Sequence, residues 1–209
     1  MKKYAVSLAV IALPFLGLSQ SRFFVNLNAG IDYTTNKYYD YNNYPDFFDR
    51  DGSEFSYGFD LGYKFSDKVR FRIESRFGNY KYGSWVDSEK KATMTLDYFD
   101  INPRLDFRMF SKGKFEFFLS PGLRLEYISD SSQETVKSDG TTMDGNYVSG
   151  AYAENMSGLI AGGILKYSYN KHFGLTLSPE YTLFTKKLYS KNDSSMRRFS
   201  TRLGVEYNF

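Results

Sequence analysis

The chain has 209 residues with no cysteine, one histidine and a formal charge of +3, and 19% of its residues are aromatic. The missing cysteines exclude a disulfide scaffold and thiolate metal sites, the weak net charge gives no nucleic-acid signature, and the lack of any apolar run near eighteen residues excludes membrane-spanning helices. At a mean hydropathy of −0.48, only strands that alternate apolar and polar side chains are left as a way into a bilayer.

Lys2 and Lys3 precede an apolar run from Ala5 to Leu18, with the small residues Gly17 and Ser19 behind it. The run is too short to span as a helix and reads as a secretory signal peptide over residues 1–19, so that Gln20 opens the mature chain. Without Lys2 and Lys3 the formal charge falls from +3 to +1. Residues 20–209 carry no low-complexity linker and are expected to form one domain.

The first strand is expected over Arg22 to Tyr33, with Val25, Leu27, Ala29 and Ile31 on one face and Asn26, Asn28, Gly30 and Asp32 on the other. A polar and aromatic loop, Thr34 to Ser53, follows. The second strand, Glu54 to Phe65, sets Phe55, Tyr57, Phe59, Leu61 and Tyr63 against Ser56, Gly58, Asp60, Gly62 and Lys64. A tight turn at Ser66 to Lys68 leads into a third strand, Val69 to Lys81, with Arg70, Arg72, Glu74 and Arg76 in one row. A second loop is expected at Gly83 to Ala92.

The fourth strand, Thr95 to Phe110, and the fifth, Phe115 to Ser129, flank a short turn at Ser111 to Lys114. The longest loop is expected from Asp130 to Glu154. The sixth strand, Asn155 to Tyr169, has its alternation blurred by Gly158, Gly162 and Gly163. A turn at Asn170 to His172 leads to the seventh strand, Phe173 to Leu188, then a loop at Tyr189 to Ser195 and a last strand, Arg198 to Phe209. Pro103, Pro121 and Pro179 fall inside strands, where each removes a ladder donor, so bulges or breaks are expected there.

Connections therefore run long, short, long, short, long, short, long. This is the layout of an all-β, eight-stranded, antiparallel, up-and-down transmembrane barrel, with short periplasmic turns, longer extracellular loops and both ends of the barrel chain in the periplasm. The last strand ends on Phe209 and resembles the closing strand of bacterial outer-membrane barrels, where Tyr207 and Phe209 would be read as the assembly signal. Pieces such as YFDINPRLDF and FFLSPGLRLEY are similar to strands of the small Bacteroidetes-type outer-membrane barrels, including PorT-like and OmpA-OmpX-like proteins. The resemblance implies the outer membrane of a Gram-negative bacterium, contact with lipid, lipopolysaccharide and the barrel-assembly machinery, and a surface or secretion partner.

On this layout the lumen receives Asp60, Lys64, Arg70, Arg72, Glu74, Arg76, Arg104, Asp106, Arg108, Glu116, Arg124, Glu126, Glu180, Arg198, Arg202 and Glu206. An eight-stranded barrel is just wide enough for side chains to fill it, so these charges are expected to pair across it. The predominance of Arg over Lys suits planar pairing with carboxylates. A polar plug is the expected outcome. A narrow channel for small or hydrophobic solutes, with a lateral opening at Gly162 and Gly163, is the alternative.

No enzyme is expected. Catalytic groups on barrel scaffolds generally include a histidine, and His172 falls in a short turn beside Lys171, as a solvated turn residue. Glu74 with Glu126 offers a carboxylate pair but no cleft. Asp49, Asp51 and Glu54 in DRDGSE cluster as hard cations favour, yet the spacing falls short of a calcium loop and an Asp-Gly turn explains it; neither a metal nor a cofactor is expected. Lys81, Lys90, Lys91, Lys186, Lys187, Lys191 and Arg197 gather at the outer rim, either to meet lipopolysaccharide phosphates or as a solvated edge. In the first loop, Tyr38, Tyr39, Tyr41, Tyr44, Phe47 and Phe48 form either an interaction surface or an extension of the aromatic girdle. The expected role is structural or interactive, carried by the extracellular loops.

Overall fold

Period-two alternation is realised throughout the computed structural model, which describes residues 22–39, 52–87, 90–137, 140–145, 155–185 and 193–209. The regular structure in these residues is β: β1 (Phe23–Tyr39), β2 (Gly52–Lys64), β3 (Val69–Asp87), β4 (Lys90–Lys112), β5 (Phe115–Leu119), β6 (Gly122–Lys137), β7 (Thr142–Gly145), β8 (Asn155–Ser168), β9 (Phe173–Phe184) and β10 (Asp193–Asn208). The signal-peptide segment lies outside the described residues.

The pairing is antiparallel throughout, β1 with β2, β2 with β3, β3 with β4, β8 with β9 and β9 with β10, and β1 closes on β10 from Phe24↔Asn208 to Tyr39↔Asp193. β5 and β6 lie end to end as one stave, both paired to β4 on one side and β8 on the other. The result is a closed up-and-down barrel of eight staves, with β7 as a short hairpin extension of β6. Closure matters physically because it leaves no unpaired backbone edge facing lipid.

Side chains sort by parity. Leu27, Ile31, Phe55, Tyr57, Leu61, Leu123, Leu159, Leu175, Phe199, Leu203 and Val205 are all exposed, whereas Asp32, Asp60, Arg124, Glu126, Lys166, Glu180, Arg198, Arg202 and Glu206 of the same strands are buried. This inverts a soluble sandwich. An exposed apolar exterior around a charged interior is stable only where the surroundings are hydrocarbon, so the surface itself requires a bilayer.

Several elements differ from expectation. Thr34–Tyr39 continues β1, Gly83–Asp87 and Lys90–Ala92 are the end of the β3–β4 hairpin, which pairs up to Asp87↔Lys90, and Asp130–Lys137 continues β6. Asp193–Ser195 likewise belongs to β10. Polar, Asp- and Ser-rich composition suggested loops there, but an antiparallel ladder satisfies its backbone irrespective of composition once it is nucleated by the barrel below. Of the three prolines, only Pro121 breaks its strand, together with Ser120, separating β5 from β6. Pro103 and Pro179 sit in continuous strands and pair with Ile73 and Thr201. On their other side the ladders skip, from Ile101↔Leu125 to Arg104↔Gly122 and from Gly162↔Glu180 to Leu165↔Leu177, so each missing N–H faces a gap and no bulge is needed. The connection at Gly113 is tight because this residue adopts φ +60, a conformation glycine takes without strain.

Candidate functional site

The candidate site is the lumen, described from the end bearing the short turns. At that mouth, Lys64 of β2 donates to Asn208 Oδ1 at 2.5 Å, Lys166 of β8 to Glu206 Oε1 at 2.5 Å, and Arg108 of β4 to Glu116 Oε1 of β5 at 2.9 Å. Arg70 donates to Asp106 at 2.8 Å and Glu206 at 2.9 Å. Its guanidinium also lies 4.8 and 4.0 Å from the ring centroids of Phe24 and Phe118.

Above it, Arg72 reaches Asp106 at 3.2 Å, Asp60 at 2.9 Å and Ser120 Oγ at 3.2 Å. Asp60 also accepts from Asn26 and Asn28, each at 3.0 Å. The next layer centres on Glu180. Arg76 grips it with two bonds of 2.5 and 2.7 Å, Arg202 donates at 3.0 Å, and Arg104 donates to its other face. Glu74 takes Arg76 Nε at 2.6 Å and Arg104 at 3.3 Å, and Arg202 reaches across to Asp32 at 2.7 Å.

The uppermost charged layer joins Arg124 to Asp100, to Glu126 at 3.1 Å and to Thr182 at 3.3 Å. Arg198 donates to Glu126 at 2.9 Å and Thr34 at 3.2 Å. Over this layer sits an apolar cap of Leu96, Tyr98, Met156, Phe184 and Met196, with Ile128 against it. Tyr98 ties the cap to the charges, its hydroxyl donating to Asp32 at 2.6 Å. Arg198 lies 4.7 Å from its ring centroid.

Arg76, Arg124 and Arg198 have 0% exposure and Arg104 and Arg202 have 2%. Charges removed from water this thoroughly persist only when each guanidinium meets carboxylates in good geometry, which outweighs the lack of a hydrogen-bond partner at Arg104 Nε and Arg202 Nε. The planar fork of arginine serves here because one guanidinium can hold two carboxylates on different staves, as Arg70 does with Asp106 of β4 and Glu206 of β10. Among the described residues the lumen is charged and occluded by these buried pairs, with an apolar cap at the long-loop end.

The lumen residues anticipated from alternation all lie on the inner face. Lys64, Arg108 and Glu116 differ from the rest in being only partly buried, because they stand at the mouth. Four ionisable partners lie outside the expected set: Asp32, Asp100, Lys166 and Tyr98. The parity that selected Asn102 and Arg104 also selects Asp100 and Tyr98, so this signal was available; Lys166 was hidden by the glycines that blurred β8. The inward apolar cap was missed as well, since the expected lumen set is all charged. Glu74 and Glu126 are not a pair; each is held by separate arginines.

Where a lateral opening was considered, a Cβ on Gly162 would stand 2.7 Å from Arg104 Nη2 and 2.9 Å from the Glu180 Cβ, so the missing side chain makes room for the Arg104–Glu180 contact. His172 is not simply a solvated turn residue. Its Nδ1–H donates to the Asn208 carbonyl at 2.9 Å and its ring stacks on Tyr207 at 5.8 Å, while the Asn208 N–H donates to His172 O at 2.7 Å. It clamps the end of β10. Tyr207 and Phe209 form an edge-to-face pair at 5.1 Å beside it.

Arg197 is exposed on β10 near the long-loop end. Tyr38 and Tyr39 lie on β1, Lys81 on β3 and Lys90 and Lys91 on β4. Glu54 lies on β2. Tyr41, Tyr44, Phe47, Phe48, Asp49, Asp51, Lys186, Lys187 and Lys191 fall outside the described residues. Among the described residues, no group of three or more His, Cys, Asp or Glu could hold a metal ion.

No protein-family model matches the chain, and no curated protein matches its sequence. Solved structures do. The outer membrane protein OprG from Pseudomonas aeruginosa superposes with a TM-score of 0.57 at 12% identity, over 91% of this chain and 97% of that one. The outer membrane protein AlkL, determined in lipid bilayers, gives 0.52 at 14% identity over 91% and 90%. Neisserial surface protein A gives 0.51 at 14% identity over 90% and 97%. At these identities the likeness is one of fold, and it does not single out PorT-like or OmpA-OmpX-like barrels. The fold of this chain is that of the small bacterial outer-membrane β-barrels.

Proposed function

We propose that the protein is a closed outer-membrane barrel of a Gram-negative cell whose role is structural or interactive, exercised through its extracellular end and not by conducting solutes or by catalysis. The observation that carries this is the filled lumen: buried ion pairs run from Arg70 and Glu206 at one mouth to Arg124, Arg198 and Glu126 at the other, with an apolar cap beyond the latter. Opening a path through it would require breaking several buried pairs at once, each costing about 3–5 kcal/mol when one partner is lost. The lone histidine is engaged in clamping β10, which supports a non-enzymatic reading.

Residues 1–19 act as the export signal in this proposal, and Tyr207 with Phe209 is the element the assembly machinery reads. Lys81, Lys186, Lys187, Lys191 and Arg197 contact lipopolysaccharide phosphates. Tyr38, Tyr39, Tyr41, Tyr44, Phe47 and Phe48 form the surface that docks a partner, in line with the PorT-like layout of the sequence.

Reconstitution into planar bilayers tests the closed lumen: a flat current trace is expected, and reproducible single-channel steps would favour the narrow-channel reading instead. Deleting residues 38–48 should abolish partner pull-down without changing heat-modifiable gel migration. Unchanged pull-down would remove the loop from the proposal.

A further inference from the structure

The network is least complete at the short-turn mouth. A cavity of about 100 Å³ opens there, with Lys64, Arg70, Arg108 and Lys166 in its wall and Asp67 and Glu116 as the carboxylates beside them. Glu206, just behind, is already shared between Arg70 at 2.9 Å and Lys166 at 2.5 Å. Arg108 spends one nitrogen on Glu116, and both side chains stay partly open, at 25% and 19% exposure. Lys64 differs from the other three. Its partner is the neutral Asn208 amide oxygen, and it forms no ion pair within 4.0 Å among the described residues.

We propose that this cavity binds a small soluble oxyanion of the phosphate class, inorganic phosphate or a phosphomonoester, from the periplasmic side. Lys64 and Arg108 supply the donors that the protein leaves unsaturated, and Arg70 and Lys166, held by Glu206 and the flanking phenylalanines, set a fixed positive wall. Pre-positioned ammonium and guanidinium donors suit a tetrahedral oxyanion, whose several oxygens can take more than one of them. A water needs roughly 10–15 Å³ on the same scale, so the volume admits a phosphate group with little rearrangement. The lining cations all face inward, so the barrel wall separates them from phospholipid headgroups and the ligand must come from the aqueous side. Asp67 lies at the rim and opposes anions there, which favours a compact ligand over a polyanion.

The test is calorimetric titration of inorganic phosphate into the full chain refolded in zwitterionic detergent, with folding checked by heat-modifiable migration. Saturable binding that weakens with added sodium chloride is expected. Lys64→Gln should weaken it about tenfold to a hundredfold, the loss of one charge-assisted contact, and Lys64→Arg should restore most of it. Arg108→Gln should produce a loss of similar size, and it carries the test if Lys64→Gln does not fold. No saturable binding at millimolar phosphate, an affinity in both glutamine variants unchanged from the parent chain, or acetate binding as tightly as phosphate would overturn the proposal.

Discussion

Replacing Glu180 by glutamine removes one negative charge from the point where three guanidinium groups converge. Glu180 Oε1 accepts from Arg76 Nη1 and Arg202 Nη1, and Oε2 accepts from Arg76 Nη2 and Arg104 Nη1. A glutamine amide has one oxygen, so in either orientation its NH₂ group faces two arginine donors and two contacts become repulsive. Each arginine retains a second acceptor: Arg76 has Glu74 at 2.6 Å, Arg104 has the Ser120 carbonyl at 2.6 Å, and Arg202 has Asp32 at 2.7 Å. The cost therefore falls at the lower end of the range for breaking a buried pair, about 3 kcal/mol.

With a urea dependence of about 1–3 kcal/mol per molar, that loss lowers the unfolding midpoint by about 1 M or more. The assay is urea titration of the barrel in lipid vesicles, with the folded fraction read from gel migration without heating. Arg76→Met on the Glu180→Gln background should cost less than it does alone, since part of the repulsion is relieved. A midpoint within about 0.2 M of the parent chain, well inside what the cited range of urea dependence would resolve, would refute the claim that Glu180 organises the lumen.

Three further outcomes follow from the same geometry. Leu203, 68% exposed on the outer face of β10, should cost about 2–4 kcal/mol when changed to arginine if it faces the hydrocarbon midplane; a neutral effect in vesicles would contradict a lipid-facing exterior. Gly162→Ala places a methyl against Arg104 and Glu180 and should destabilise by about 1–3 kcal/mol, as overpacking does, with the urea midpoint as the measure. His172→Ala removes the donor to the Asn208 carbonyl and should cost about 1 kcal/mol. Faster hydrogen exchange at the Asn208 amide than in the parent chain checks it, and unchanged exchange would mean that the clamp is unimportant.

Alternation was enough to place Arg70, Arg72, Arg76, Arg124, Arg198 and Arg202 on one side of the sheet, because parity along a strand is a local property. It was equally enough to recognise a barrel, since the charges had to face away from lipid and the turns had to alternate in length. Composition was a poorer guide to the strand ends. Thr34–Tyr39, Gly83–Asp87, Lys90–Ala92 and Asp130–Lys137 look like loops but are ladders, because backbone pairing inherited from the barrel outweighs the weak propensities of Asp, Ser and Lys.

What tertiary structure alone decided is who meets whom. Asp106 of β4 lies 36 positions from Arg70, and Glu206 of β10 lies 136 positions away, yet both hold the same guanidinium. Such pairings depend on barrel closure and on the relative stagger of staves, neither of which is encoded in a single strand. The same holds for the inward-facing Leu96, Met156, Phe184 and Met196. The expected lumen set is all charged and leaves such residues out, and only their shared position at the top of the lumen turns them into a lid. The sequence by itself thus determined the barrel, its inside and its outside; the closed packing of eight staves decided that the inside is plugged, because only there do opposite charges from distant strands come within bonding distance.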